Sequence, residues 1–242
     1  MKIISLNNTF IVLLVVFATS CKKNNLTVKN STSNGGISYF AKASGTGIKA
    51  TATRSNNILS GTAVVEWSSA SIYVEKISFV GISNNLLDTT ISVEKNLNLF
   101  SADALAGVIN LPTGSYKDVK VKMFLKKSPK SELAFNLKGT FINTWGGRDS
   151  LMVASSYPFE ANLGVTDITI NPSDNYTVIF NFNLDKGLTG ISTELLQTAR
   201  SYAGIDNKLM YVIWKGGSQD EPLYNEIINN WQTVASVTIS KK

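Results

Sequence analysis

Alternation of apolar and polar residues constrains the fold of this chain more than any other feature. It begins near Gly61 and is clear over residues 71–79, where its phase shifts near Glu75. Period-2 alternation is typical of β-strands with one buried face, and a shift of phase indicates a β-bulge or two abutting strands. The chain is therefore predicted to be mainly β from this point onward.

The same pattern recurs in six further segments that are separated by turn-forming residues. The segments are 89–99, 116–125, 132–143, 150–159, 165–170 and 176–184. The clearest turn signals lie at 112–114 (Pro-Thr-Gly), 146–147 (Gly-Gly) and 171–173 (Asn-Pro-Ser). Strands at this spacing, without helices between them, predict an antiparallel β-sandwich of Ig-like or prealbumin-like type.

The C-terminal third changes pattern and predicts two helices and two strands. Apolar residues at helical spacing predict a helix over 192–203, with Gly204 as its terminator, and a second helix over 222–231. The apolar run 209–214 predicts a buried strand, and 234–239 alternates as a closing strand. We therefore expect a small α-helical C-terminal addition to the β-sandwich.

The N-terminus carries the pattern of an export signal. Lys2 precedes an uncharged apolar run over residues 10–17, and the small residues 18–20 lead to Cys21, the single cysteine. The run is too short to span a bilayer as a helix. A cysteine in this place resembles the bacterial lipobox, which implies lipidation of Cys21 and anchoring to the outer membrane of a Gram-negative bacterium, on its periplasmic or surface face. The alternative is an ordinary cleaved signal peptide that leaves an unused thiol.

The chain is thus predicted to have five segments. They are a lipoprotein signal peptide (1–20), a flexible tether (21–36), a partly ordered N-terminal segment (37–60), a β-sandwich domain (61–190) and an α/β C-terminal extension packed on the sandwich (191–242). The tether is assigned because its composition is rich in Asn, Ser and Thr and lacks aromatic residues.

One turn and the strand after it resemble a known type of sandwich domain. Residues 111–116 (Leu-Pro-Thr-Gly-Ser-Tyr) lead into a strand with alternating apolar residues that runs through Met123. This is similar to a hairpin of the prealbumin-like or carboxypeptidase-regulatory-like domains of bacterial surface lipoproteins, in a family whose domain has no assigned function. The resemblance covers residues 61–188 in outline. It implies the sandwich fold and carries no catalytic residues.

Composition removes several classes of protein. The chain has no histidine and one cysteine, which excludes Ser-His-Asp and Cys-His hydrolysis and the usual zinc, copper and non-haem iron sites. No cofactor is therefore expected. The 23 Lys and Arg residues exceed the 17 Asp and Glu residues by six without forming a dense basic stripe, so no nucleic-acid partner is expected.

Oxygen ligands for calcium remain available. Asp167, Asp174 and Asp185 bracket a predicted hairpin, and Asp220 and Glu221 form a local acidic pair. None of these groups has the alternating spacing of a calcium-binding loop. We therefore predict solvated loop carboxylates and no metal site.

The best candidate for a ligand-binding surface is the predicted hairpin tip around Gly146 and Gly147. Trp145 can stack there on a sugar ring while Arg148 and Asp149 bind its hydroxyl groups. The alternative is that Trp145 folds back to cap the sandwich and that the two charged residues pair with each other on the surface. The other tryptophans are expected in the core; they are Trp67, Trp214 and Trp231.

The densest basic stretch allows two interpretations. Its lysines are Lys117, Lys120, Lys122, Lys126, Lys127 and Lys130. They can form a solvated sheet face that deters aggregation, or contact an anionic polysaccharide or lipopolysaccharide.

These features predict a lipid-anchored envelope protein of non-enzymatic type, a binding or structural module for a glycan or an envelope protein. Its contact with the membrane is through the N-terminal lipid. One alternative is a carboxylate-only glycoside hydrolase, which requires two acidic groups about 5–10 Å apart across a cleft. Another is an adhesion or assembly subunit, which an open sheet edge would favour.

Overall fold

Strands dominate the part of the chain that the structure, a computed structural model, describes: residues 34–45, 61–102, 104–204, 208–215 and 222–242. The strands are β1 (Asn34–Ser44), β2 (Val65–Ile82), β3 (Leu86–Asn98), β4 (Leu105–Pro112), β5 (Gly114–Leu125), β6 (Phe135–Ile142), β7 (Arg148–Ser155), β8 (Phe159–Gly164), β9 (Ile168–Ile170), β10 (Asn175–Asn183), β11 (Arg200–Ala203), β12 (Leu209–Lys215) and β13 (Ala235–Lys241). The helices are a 3₁₀ helix (Leu184–Leu188), α1 (Thr193–Leu196) and α2 (Pro222–Trp231). The predicted signal peptide, Cys21 and most of the tether lie outside the described residues, as do residues 46–60.

The strands form two sheets that share one hydrophobic core. Sheet A has the order β13-β10-β1-β4, and sheet B has the order β11-β12-β7-β6-β2-β5-β8, with β3 also on β2 and β9 also on β5. The prediction of a mainly β fold with two sheets and a small helical addition is confirmed. The sheets are mixed, because β1 runs parallel to β10 and β12 runs parallel to β7.

Strand β2 is long enough to organise sheet B. Its first half pairs with β6 and its second half pairs with β5 on the same side, while β3 lies on the opposite side. The register shifts between Val74 and Lys76 against both β3 and β5. The bulge that the phase shift near Glu75 predicts is therefore confirmed, and it keeps apolar residues on the core side in both halves of the strand.

The last helix closes the core with an aromatic cluster. Trp231 is 1% exposed, and its ring centroid lies 4.3 Å from that of Phe135 and 6.0 Å from those of Phe159 and Phe182. Trp67 is also buried, at 3% exposure. The core positions predicted for these two tryptophans are confirmed.

Trp214 was expected in the core, and that prediction is wrong. The apolar run 209–214 forms strand β12, in which Tyr211 and Ile213 point to the core and Trp214 points outward with 43% of its surface exposed. A continuous apolar run does not say which of its two faces is covered.

The predicted helix over 192–203 is also wrong in most of its length. Only α1 is helical there, with Ser192 accepting a hydrogen bond from Leu195 N as its N-cap. The chain then leaves the helix, and β11 pairs with β12 from Arg200 to Ala203. Pairing along the edge of sheet B therefore overrides a local helical pattern. The second predicted helix is confirmed as α2.

Residues Thr32–Lys242 group into one compact unit. The whole buried cluster lies within it, from Ile37 on β1 to Val234 before β13. No helix within the described ranges is long and apolar enough to cross a membrane.

Candidate functional site

The loop between β6 and β7 is held in one shape by the side chain of Asn143. Its Oδ1 accepts hydrogen bonds from Trp145 N at 3.0 Å and Gly147 N at 2.8 Å. The backbone adds a bond from Asn143 N to Gly147 O at 2.8 Å, and Gly146 takes a φ of 81° that favours glycine. Gln197 Oε1 accepts from Thr144 N at 3.0 Å and ties the loop to the segment after α1.

Asp149 anchors this loop from inside the protein. It is 4% exposed, and its Oδ2 accepts from Asn143 Nδ2 at 2.8 Å while its Oδ1 accepts from Leu209 N at 3.0 Å. Asp149 points inward because it shares the face of β7 that carries Leu151 and Val153. Both carboxylate oxygens therefore position the loop and the start of β12.

Trp145 lies at the tip of the hairpin with 80% of its surface exposed. It does not fold back onto the sandwich. Because the loop amides are already hydrogen-bonded, a partner that contacts this exposed indole has little further backbone to order. The three residues predicted for the site thus separate into an exposed ring, an outward cation and a buried anchor.

Arg148 points outward at the start of β7 and pairs with Glu66 on β2, not with Asp149. Its Nη1 donates to Glu66 Oε2, and also to Thr140 Oγ1 at 3.1 Å. The neighbouring Glu66 carboxylate raises the pKa of the Arg148 guanidinium. The pair remains about half exposed, at 49% for the Arg148 side chain and 55% for that of Glu66, so both groups can contact a ligand.

A shallow depression lies around this ion pair. Its volume is about 240 Å³. It is lined by Thr62, Val64, Glu66, Thr140, Phe141, Ile142, Arg148 and Thr193. Hydroxyl groups, one carboxylate and one guanidinium over an apolar floor are the groups that bind a polar ligand with hydrophobic faces.

The cross-strand register places this depression on the same sheet face as several exposed apolar side chains. Glu66 lies opposite Thr140 on β6, and Thr140 lies opposite Ser150 on β7. Ser150 lies opposite Met210 on β12, and Met210 lies opposite Tyr202 on β11. These residues form one row across five strands, about 19 Å long at the usual strand spacing.

The far end of that face is apolar. Tyr202, Met210 and Trp214 are 47%, 39% and 43% exposed. Arg200 on β11 lies opposite Val212, between the Tyr202–Met210 pair and the level of Trp214, so a charged side chain shares this face with the apolar ones. The sequence could not place these residues, because β12 is apolar on both faces. Glu66, in contrast, alternates with the buried Val65 and Trp67, so its outward position could have been read from the pattern.

The acidic residues considered for calcium are engaged in local structure. Asp167 accepts from Asp118 N at 3.1 Å, Asp185 accepts from Trp67 Nε1 at 3.3 Å, and Asp174 pairs with Lys241 at 2.8 Å. In the described ranges no three metal-ligating side chains come together. The Asp220–Glu221 pair lies outside those ranges.

Two carboxylates do approach each other on β2 and β3. Lys126 Nζ lies 2.8 Å from Glu94 Oε1 and 3.4 Å from Glu75 Oε1. Lys126 and Tyr73 lower the pKa of Glu94 through their hydrogen bonds. A glycosidase acid needs a raised pKa. The lowered pKa of Glu94 does not favour a role as a general acid, and the three side chains form a surface ion network.

The basic stretch after Tyr116 lies partly on the outward face of β5. Lys120 and Lys122 alternate with the buried Val119, Val121 and Met123. Lys122 lies 3.8 Å from Glu160 on the neighbouring strand. Acidic neighbours of this kind reduce the positive potential of the face.

Comparison of the chain with protein-family models finds no match, and comparisons with curated proteins and with solved structures find none either. The functional argument therefore depends on the fold and on the groups at this surface.

Proposed function

We propose that this chain is a lipid-anchored protein of the bacterial cell envelope that binds a glycan without catalysing its conversion. The observation that carries the proposal is Trp145, an indole that is 80% exposed on a loop fixed by six hydrogen bonds. Exposing so large an apolar ring to water is unfavourable. A ligand that covers the ring gains that free energy on binding.

The groups near the hairpin favour a sugar as this ligand. A pyranose ring has an apolar face that suits an indole, and its hydroxyl groups both donate and accept hydrogen bonds. Arg148 supplies donors, Glu66 supplies acceptors, and the hydroxyl of Thr140 supplies both. Because Arg148 and Glu66 are half exposed, they can exchange hydrogen bonds to water for hydrogen bonds to sugar hydroxyls. Neither charge is then buried without its partner.

The envelope location rests on the N-terminal sequence. The apolar run, the small residues and Cys21 resemble a lipoprotein signal, and a lipid on Cys21 would hold the compact unit at the membrane. Such an anchor concentrates the binding surface next to envelope polysaccharides. An envelope protein is the alternative partner, for which the apolar end of the sheet face around Trp214 is the natural contact.

A glycan-array and envelope-polymer screen on protein covering Thr32–Lys242 tests the binding. We expect binding by the wild type and a loss of about tenfold or more in affinity for Trp145→Ala. Tyr157→Ala is the matched control, because Tyr157 is an aromatic residue at 52% exposure beyond the opposite end of β7. Equal affinity of Trp145→Ala and wild type, or no glycan binding at all, contradicts the proposal.

The anchor is tested separately on the full chain. We expect incorporation of radiolabelled palmitate and recovery in the membrane fraction, and loss of both in Cys21→Ser. A Cys21→Ser protein that still incorporates palmitate contradicts lipidation at this residue and leaves the glycan test unaffected.

A further inference from the structure

A second depression lies on the outer face of sheet B, beside the middle of β2. Its volume is about 150 Å³. Its polar side chains come from β2, β3, β6 and the loop before β6, and they are Ser71, Asn96, Asn136 and Ser131. The strand residues among them alternate with the buried Ile72, Leu97 and Phe135, so the depression opens on the side of the sheet away from the core. We call it the Asn136 pocket.

The side chain of Asn136 carries an acceptor that the described chain does not satisfy. Its Oδ1 atom is enclosed by protein, and no donor within the described ranges forms a hydrogen bond with it. Such an acceptor lowers stability, because its hydrogen bonds to bulk water are lost on folding and are not replaced. Buried polar groups in folded proteins are nearly always paired. The unpaired acceptor therefore indicates a donor from outside the chain, and the pocket that Asn136 lines has room for one.

An exposed indole lies in the same cross-strand row as Asn136. Asn136 lies opposite Ala154 on β7, and Ala154 lies opposite Trp214 on β12. Two strand spacings, about 10 Å, thus separate the backbone of Asn136 from that of Trp214. The indole is 43% exposed. An aromatic ring near a carboxamide and hydroxyl groups suits a sugar, which has apolar faces and hydroxyl donors.

The Asn136 pocket and the depression around Arg148 lie on the same face and are connected by β6. Thr140 lines the depression around Arg148, and Asn136 lines the other. Four residues of strand separate them, a distance of about 13 Å. Lys138 lies between them with its side chain exposed on this face, and its ammonium group offers donors to a ligand that passes over it. One extended ligand can therefore reach both places.

We propose that the Asn136 pocket is a second sugar subsite, and that the ligand is a linear oligosaccharide that lies along β6 from the hairpin to Asn136. The inference rests on the proposed glycan binding and extends it from one contact at Trp145 to a chain of sugars. A hydroxyl group of the distal sugar donates to Asn136 Oδ1. A sugar chain held at the first site presents its other end to the pocket at a high effective concentration, so affinity rises with chain length.

The dependence of affinity on chain length tests the second subsite. Calorimetric titrations of the Thr32–Lys242 protein, the compact unit that contains the whole buried cluster, use three series of probes. The probes are cello-oligosaccharides, chito-oligosaccharides and oligogalacturonates, each from the disaccharide to the hexasaccharide. We expect at least one series to bind the wild type, with an affinity that rises about tenfold or more from the shortest to the longest member.

Asn136→Leu tests the carboxamide, because leucine branches at the same carbon and has no acceptor. The variant should bind the disaccharide as the wild type does and lose about tenfold in affinity for the hexasaccharide. Its midpoint of urea unfolding should not fall, since the substitution removes an enclosed acceptor that has no partner. Asn162→Leu is the matched control, because Asn162 is exposed on β8 at the other end of sheet B. It should keep the wild-type affinity for every length.

Trp145→Ala separates the two proposals, because it should weaken binding of the disaccharide as well as that of the hexasaccharide. A rise in affinity with length that Asn136→Leu leaves unchanged shows that only water pairs with Asn136, and it overturns the second subsite. Equal wild-type affinity for all lengths overturns it as well, and binding at Trp145 still stands in both cases. If no series binds the wild type, the proposed glycan binding fails and the second subsite fails with it.

Discussion

Replacing Asp149 by alanine removes the carboxylate that joins the hairpin loop to β12. The two hydrogen bonds it accepts, from Asn143 Nδ2 and Leu209 N, are 2.8 and 3.0 Å long. A hydrogen bond to a charged group contributes about 1.5–3 kcal/mol, and a donor left buried without an acceptor adds a desolvation penalty. Because the two losses overlap, we expect the free energy of unfolding to fall by about 3–4 kcal/mol.

Urea unfolding followed by tryptophan fluorescence measures this change. For a protein of this size, each kcal/mol lowers Tm by roughly 2–4 °C, so Tm should fall by roughly 6–16 °C. Glu160→Ala is the control, because it removes the same charge from a surface pair with Lys122 and should cost at most about 1 kcal/mol. A loss for Asp149→Ala no larger than that of the control refutes the anchoring role.

A double-mutant cycle separates the anchor from the rest of the loop. Asn143→Ala removes the acceptor of two loop amides as well as its bond to Asp149. The coupling energy between the two substitutions should lie between about 0.5 and 3 kcal/mol, since the residues are in direct contact. Strict additivity would mean that Asp149 stabilises the protein without holding the loop.

Three further predictions concern the core, a close strand contact and pH. Trp231→Ala should destabilise the fold by about 3–5 kcal/mol in urea unfolding, and a loss below about 1 kcal/mol would contradict its place in the aromatic cluster. Gly139→Ala should lower the free energy of unfolding by roughly 1–3 kcal/mol, because its Cβ would lie 2.6 Å from Val65 Cγ1 and 2.7 Å from Glu66 O on β2. Gly164→Ala is the control, because a Cβ there meets nothing within 4 Å and should leave the stability unchanged in the same assay. Lys241 lowers the pKa of Asp174 below its ordinary 3.8, so the ion pair stabilises the fold above pH 3.8, and this stabilisation is lost as the pH falls through the pKa of the folded state. The Lys241→Met variant should therefore lose less stability than the wild type between about pH 6 and about pH 3. An equal loss in the two proteins would contradict the linkage.

Local alternation predicted most of the strands, because it reflects which face of each strand is buried, but it did not predict β4, β8 or β11. It also located the bulge near Glu75, where a single inserted residue restores the apolar face. Alternation could not predict the parallel pairing of β1 with β10, because strands that are far apart in sequence leave no local pattern of their pairing. The helix predicted after Ser192 failed for a related reason: Arg200 and its neighbours gain more from pairing with β12 than from continuing the helix.

The candidate site was predicted in part. The two glycines correctly indicated a hairpin tip, and Trp145 lies on it. The predicted strand began at residue 150, so the prediction did not show that Asp149 lies on the buried face with Leu151 and Val153. Extending the alternation back by two residues would have placed Arg148 outward and Asp149 inward. The pairing of Arg148 with Glu66 depends on β2 lying beside β6, which only the tertiary structure provides.

The position of β1 in sheet A has a consequence for biosynthesis. β1 lies between β4 and β10, with Ile37 opposite Ile109 on one side and Tyr176 on the other. β1 leaves the ribosome or a translocation channel before β4 and β10. It therefore lacks its full set of neighbouring strands until the chain through β10 has emerged. The entropy of closing so long a loop must be overcome before these contacts form. Folding of sheet A is consequently a late and non-local step, and the apolar face of β1 needs protection from aggregation while the remainder of the chain is made.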